Sequence, residues 1–381
     1  MSKKQALKTI FALACCVALA VPHAGACTSA IIGAELNPYG RPILWKHRDT
    51  STIDNKVERV PAHGSDLGYV ALFNAADCDL KEAWMGMNDA GFAVMNTASY
   101  NIKDDKVPAK KMDREGLLMT RALKTCRTVD DFARLLETYR RPMGVEANFG
   151  VIDATGAGAY FETNNHSYVR YDLKDAPQHL LVRTNYSHSG RPGEGYGFVR
   201  EANAEALLQP YVDEASVTPE VLTEVLSRTF YHDGRKQDME YVPGQWVLDL
   251  DYIPRYKSTA TVAIEGCKPL TDAAEATPEF VADQYVMWIG MGYPPVSEIK
   301  AVRNADGGID PGLQGTLPGG HCRLGDEAKA VRDSIFDSRG SKKDVYLDIS
   351  RLFNDQGTGI VQAKRRINHE TYRREIERRD K

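Results

Sequence analysis

The stretch Ala24-Gly25-Ala26-Cys27-Thr28-Ser29-Ala30-Ile31-Ile32 constrains this chain more than any other, because it joins an export-type segment to the first β-rich run through a cysteine. Upstream lie Lys3, Lys4 and Lys8, an apolar core from Ile10 to Val21, the breaker Pro22, and small residues at the junction. This pattern predicts a secretory signal over residues 1–26. The apolar core is too short for a bilayer, which takes about 20 residues to cross. Cleavage after Ala26 would leave Cys27 with a thiol and a free α-amine of pKa about 8. One residue then holds nucleophile and base.

The formal charge of −4 becomes more negative once the three lysines leave, and acidic and basic residues are interspersed along the chain. That argues against nucleic acid as a partner. With 43% hydrophobic residues the chain can bury a large core, and no linker or repeat divides it. Of seven cysteines, Cys15 and Cys16 leave with the signal, and Cys27, Cys78, Cys126, Cys267 and Cys322 remain. An odd count in an oxidising compartment predicts a free thiol, with Cys27 the natural candidate. The other four read as buried small hydrophobes.

Residues 28–36 and 41–46 predict a hairpin around Asn37-Pro38-Tyr39-Gly40, which returns Lys46-His47-Arg48-Asp49 to the side of Cys27. Further strands are predicted over 70–73, 82–87, 91–95, 148–161 with a break at Gly156-Ala157-Gly158, 167–171, 180–185, 258–265 and 285–289. Asn96 follows one of these strands and Asn185 ends another. Helices are predicted over 113–124, from the capping box Thr128-Val129-Asp130-Asp131 to 136, over 198–208, and from Thr218-Pro219 to 227. Gly193, Gly195 and Gly197 read as a mobile loop, since the context of a dinucleotide fingerprint is missing. Residues 324–381 are charged and helix-prone, and read as a peripheral helical tail with a solvated face. Segregated strands and helices predict an α+β fold of packed sheets under helical layers.

No G-x-S-x-G elbow, H-E-x-x-H, P-loop or paired C-x-x-C occurs, and the nine histidines are scattered. His47, His188 and His232 each read as surface or loop residues. Against that background, Cys27-Thr28-Ser29, Trp45-Lys46-His47-Arg48-Asp49, the 86–93 run GMNDAGFA and Arg183-Thr184-Asn185 occur in an order that resembles the linear amide C–N hydrolases. These are the choloylglycine (bile-salt) hydrolases, the penicillin V acylases and the acyl-CoA:6-aminopenicillanate acyltransferase-like proteins. The resemblance spans most of residues 27–300 and extends through Ser258-Thr259-Ala260-Thr261-Val262 and the stretch 288–295.

The resemblance implies an N-terminal-nucleophile hydrolase, a four-layer αββα sandwich with the nucleophile on the first strand. It assigns residues 27–323 to that domain and leaves 324–381 as a helical extension packed on or beside it. Carried over, Cys27 matches the nucleophile, Asp49 the aspartate that contacts it, and Asn185 the oxyanion-hole asparagine. Asn96 matches the second asparagine. Lys46 stands where bile-salt hydrolases have arginine, which loses the rigid fork. The Ser-Arg-Phe-x-Arg helix start is replaced by Tyr196-Gly197-Phe198-Val199-Arg200, so only Arg200 can serve, after a shift. Lys46 and Arg200 are therefore the substrate-binding candidates, and bile-salt specificity is not supported.

The expected activity is an exported, secreted or periplasmic cysteine amidohydrolase that opens a linear amide through an acyl-thioester on Cys27, with acyl transfer as a variant. A small-molecule amide is the expected partner. No metal, cofactor or membrane span is expected, and a homo-oligomer is left open. Three alternatives stand: a cysteine dipeptidase, which shares Cys-Thr at the start, a catalytically silent binding module, and a lipid-anchored binding protein acylated on Cys27. Ala24 is a poor residue for the lipidation signal.

Overall fold

The computed structural model describes residues 26–242 and 244–379; the predicted signal lies outside the described residues except for Ala26. The predicted hairpin opens the first sheet. Thr28–Ile32 (β1) pairs antiparallel with Ile43–Asp49 (β2), Thr28 facing His47 and Ile32 facing Ile43. β1 ends earlier than residue 36, because Ala34–Leu36 turns into a 3-10 helix.

A meander follows: Asn55–Val60 (β3), Tyr69–Asn74 (β4), Ala83–Asn88 (β5), Ala93–Ala98 (β6), Ala147–Ile152 (β7), Gly158–Thr163 (β8) and Tyr168–Asp172 (β9). These seven strands pair in sequence order to make the second sheet. β3 escaped the sequence reading because Asn55-Lys56-Val57-Glu58-Arg59-Val60 is polar, with Val57 its one fully buried apolar residue. Asn96 lies within β6 and does not follow it. The chain then returns to the first sheet: Leu180–Arg183 (β10) flanks β1, and the strands Ser258–Glu265, Val286–Met291 and Ile299–Val302 extend it beyond β2.

Alternating side chains give each sheet two buried faces. Between the sheets, Ile31, Leu44, Val262 and Ile289 meet Val57, Val70, Leu72, Met85 and Met95. On the far face of the second sheet, Glu115–Thr125 (α1) and Val129–Thr138 (α2) bury Leu118, Leu123, Phe132 and Leu136 against Phe73, Phe149 and Phe161. The capping box at Thr128 forms as predicted, with Asp131 returning to the cap amide. On the far face of the first sheet, Phe198–Asp213 (α3), the π-helical turns Val221–Leu226 and the C-terminal helix Ile360–Arg379 cover Ile32, Trp45 and Trp288. The result is the four-layer αββα sandwich.

α3 runs past residue 208 through Pro210 to Asp213. The last segment is more than a solvated face: Val361, Asn368 and Tyr372 are buried. Tyr372 packs on Trp288 with ring centres 4.8 Å apart, and Asn368 accepts from the Ile299 amide at 2.9 Å. Among the described residues no helix is long and apolar enough to cross a membrane.

Candidate active site

Strand alternation decides which groups meet Cys27. Ile31 points between the sheets, and Ser29 on the same side bonds Tyr160 of β8 at 2.8 Å. Cys27, two residues earlier, continues this face. On β2 the same face carries Leu44, Lys46 and Arg48, whereas Trp45, His47 and Asp49 belong to the opposite one. At this end of the sheets lies a cavity of about 620 Å³ whose walls include Cys27, Lys46, Arg48, Asp49, Asn96 and Tyr100. Cys27 is 7% exposed, and its Sγ lies 3.6 Å from the Asp49 carbonyl oxygen, to which the thiol donates.

The Asp49 carboxylate is held from an unexpected direction. Ser258 faces Asp49 across the strand pair, and the register slips by one residue before Ala260 faces Arg48, so Thr259 is a β-bulge. The bulge re-aims Ser258 away from the face of Ala260 and toward Asp49. Ser258 Oγ donates to Asp49 Oδ1 at 2.6 Å, accepts the Arg255 amide at 2.8 Å, and lies 2.8 Å from His47 Nε2. Asp49 Oδ2 accepts no hydrogen bond from the described residues, and Arg255 Nε stands 3.8 Å away. Burial outweighs the nearby arginines and the serine, and drives the Asp49 carboxyl up to about 6. His47 is fully buried, which corrects its reading as a surface residue. Desolvation, with Arg200 and Arg255 adding to it, pushes its imidazole down to about 3, so the ring is neutral.

Lys46 donates from Nζ to Asn96 Oδ1 at 2.9 Å and to the Trp84 carbonyl at 3.1 Å. With its oxygen thus engaged, Asn96 has its amide N–H group left to donate, and it stands on the cavity wall. Burial lowers the Lys46 ammonium to about 8.

Asn185 and Arg200 stand behind the cysteine and not on the cavity wall. Asn185 is fully buried; its Nδ2 donates to the Ala98 carbonyl at 2.9 Å, and its Oδ1 accepts from Arg200 Nη2 at 2.8 Å. Arg200 Nη1 donates to the carbonyls of Ala26 and Cys27 at 3.0 and 2.6 Å and to Thr28 Oγ1 at 2.9 Å. One guanidinium thus ties the start of β1 to Asn185. Gly197 makes this approach possible: its φ is +97°, and a Cβ there would lie 2.5 Å from Arg200 Nη2.

The structure therefore brings Cys27, Lys46, Asp49 and Asn96 to one cavity and links Asn185 and Arg200 to the cysteine from behind. Sequence reasoning missed Ser258 as a partner of Asp49, and it missed Arg48 and Tyr100 on the wall. A bulge leaves no mark in a strand pattern. Arg48 was legible, since it shares the parity of Lys46.

The described cysteines are all free, and Cys78 is exposed, unlike the buried Cys126, Cys267 and Cys322. Among the described residues two groups have metal-ligand chemistry, Asp54 with His321 and Asp326, and Asp104 with Asp105 and His166. Neither includes a residue of the cavity wall.

Residues 82–204 match the family model described as acyl-coenzyme A:6-aminopenicillanic acid acyl-transferase. That match bears out, over this segment, the resemblance read from the motifs. No protein of curated function matches the chain. Among solved structures, a Caenorhabditis elegans ortholog of N-acylethanolamine-hydrolyzing acid amidase is similar at 15% identity and TM-score 0.42, over 66% of this chain and 97% of that one. A mutant conjugated bile acid hydrolase from Clostridium perfringens is similar at 11% identity and TM-score 0.41, over 73% and 92%. Penicillin V acylase from Agrobacterium tumefaciens is similar at 12% identity and TM-score 0.39, over 73% and 86%.

Proposed function

We propose that this chain, whose middle third carries the acyltransferase family signature, is an exported cysteine N-terminal-nucleophile amidohydrolase that opens a linear amide through a thioester on Cys27. The observation that carries this reading is Cys27 immediately before β1, on the cavity wall, with its thiol donating to the Asp49 carbonyl at 3.6 Å. Removal of residues 1–26 would create an α-amine at Cys27, on the cavity wall that Asp49 shares.

The neutral amine takes the thiol proton, and the thiolate attacks the amide carbonyl. Asp49 stabilises the ammonium so formed. Asn96 Nδ2 donates to the tetrahedral oxyanion, such a donor contributing about 3–4 kcal/mol. The ammonium then returns its proton to the leaving nitrogen as the C–N bond breaks, and water, giving its proton to the amine, cleaves the thioester to acid and free thiol. Asn185 acts through Arg200 and the Ala98 carbonyl to set the site.

The lipid-anchored alternative places a diacylglyceryl group on a sulfur that faces an interior cavity, a position from which the chains would have to leave the fold. N-terminal sequencing and intact mass test the reading: the expected product begins at Cys27, carries no lipid, and forms an acyl adduct at that residue when quenched with an activated acyl donor. A different N-terminus, or an adduct elsewhere, refutes it.

Turnover needs the neutral α-amine, so kcat/KM should fall as pH drops through about 8. Ser258→Ala removes a hydrogen bond to the charged Asp49 carboxylate, worth about 1.5–3 kcal/mol, and should lower kcat/KM by about tenfold or more. A kcat/KM profile measured against pH checks both, and a parent-like profile rejects the role of Ser258.

A further inference from the structure

Two cations are buried beside Cys27, and among the described residues no carboxylate bonds either. There Lys46 bonds Asn96 Oδ1 and the Trp84 carbonyl. Arg48 donates to Asn55 Oδ1 at 2.6 Å, Asn74 Oδ1 at 2.9 Å and Thr259 Oγ1 at 3.2 Å, and its guanidinium carbon lies 5.3 Å from the Trp84 ring centre. Both side chains line the cavity. Asp49, their nearest acid in sequence, is turned to Ser258 on the other face of β2.

A buried charge with only neutral partners is costly, and an anionic ligand is the usual compensation. Burial lowers the two groups only to about 8 and about 10, so both stay charged at neutral pH. Arg48 is moreover pre-positioned by its two asparagines and the indole, as a carboxylate-binding fork must be. The remaining wall is mixed: Lys103, Asp113, Glu115 and Glu146 face the cavity beside Trp84, Val107, Ala109 and Met112, so a ligand anchored on the two cations meets both polar and apolar wall.

We propose that Lys46 and Arg48 form a subsite for a carboxylate of the substrate. The compound opened at Cys27 is then a carboxylate-bearing amide such as an N-acyl amino acid or a short peptide. This rests on the reading of Cys27 as the nucleophile.

Iodoacetate and iodoacetamide separate the two claims. Both alkylate a thiolate by forming a C–S bond and releasing iodide, and they differ in carrying a carboxylate or a neutral amide. The probe is applied to protein produced from the full chain, and labelling is read at Cys27 by peptide mass, because Cys78 is exposed and also reacts. Iodoacetate should label Cys27 faster than iodoacetamide, and Arg48→Gln should lower the ratio of the two rates by about tenfold or more. Cations that serve only the thiolate would slow both reagents equally; an unchanged ratio overturns the carboxylate subsite and leaves the nucleophile standing. No labelling of Cys27 by either reagent overturns both. In the unmodified protein, N-acetylglycine should protect Cys27 from iodoacetamide at a concentration about tenfold below that needed of N-acetylglycinamide; equal protection, or none, overturns the subsite independently of how the variant folds.

Discussion

Cys27→Ala should abolish amide turnover, by at least about 10³-fold in kcat, with the melting temperature left within a few degrees of the parent. The thiol is the nucleophile on the cavity wall that the mechanism uses. Its structural role is slight: the side chain is small, sits at the edge of a cavity, and makes one weak hydrogen bond to the Asp49 carbonyl. Cys27→Ser keeps an oxygen at the same place, and its activity should lie between the two, because a hydroxyl is much harder to ionise than a thiol. Cleavage after Ala26 should persist in Cys27→Ala if an external peptidase removes the signal. Accumulation of the uncut chain would show that Cys27 processes itself, and near-normal turnover in this variant would remove the mechanism altogether.

Arg200→Met should damage both stability and catalysis. Its guanidinium satisfies the carbonyls of Ala26 and Cys27, the Thr28 hydroxyl and Asn185 Oδ1, all in the interior. Once Ala26 is gone, three of these remain. Leaving buried acceptors without donors costs about 1–3 kcal/mol each, so a loss of about 3 kcal/mol is expected, read as a fall in Tm of roughly 4 °C for a chain of this size. Turnover should drop as well, since the start of β1 and Asn185 are no longer tied together. Arg200→Lys should not restore it, because a single ammonium cannot span Cys27 and Asn185 as the planar fork does. Parent-like melting and turnover in Arg200→Met would show that the guanidinium does not organise the cysteine.

Part of this arrangement was readable from local pattern. The hairpin, the capping box at Thr128 and the strand Ser258–Glu265 follow from turn residues, cap chemistry and β-rich runs; the last two form as read, and the hairpin forms with a shorter first strand. Errors fell where local pattern carries no signal. β3 is polar because much of its surface is only partly covered. His47 looked like a loop residue, yet it lies on a central strand whose outer face is roofed by helices. Residues 324–381 looked like a solvated tail, but the spacing of Val361, Asn368 and Tyr372 becomes meaningful only once a sheet lies beneath them.

What the sequence determined by itself is the junction and its partners on one face. A cysteine behind a predicted signal, followed by a strand and a tight turn, brings residues 46–49 alongside, and the two-residue repeat of strands puts Cys27, Lys46 and Arg48 together. Tertiary structure alone decided the rest. Asn96 reaches Lys46 from the opposing sheet. A one-residue slip at Thr259 points Ser258 at Asp49 from 209 positions away, and Arg200 reaches the Cys27 carbonyl across 173 positions. Such contacts depend on sheet order, bulges and layer packing, which minimise exposed apolar surface over the whole chain and leave no periodic trace in any one stretch.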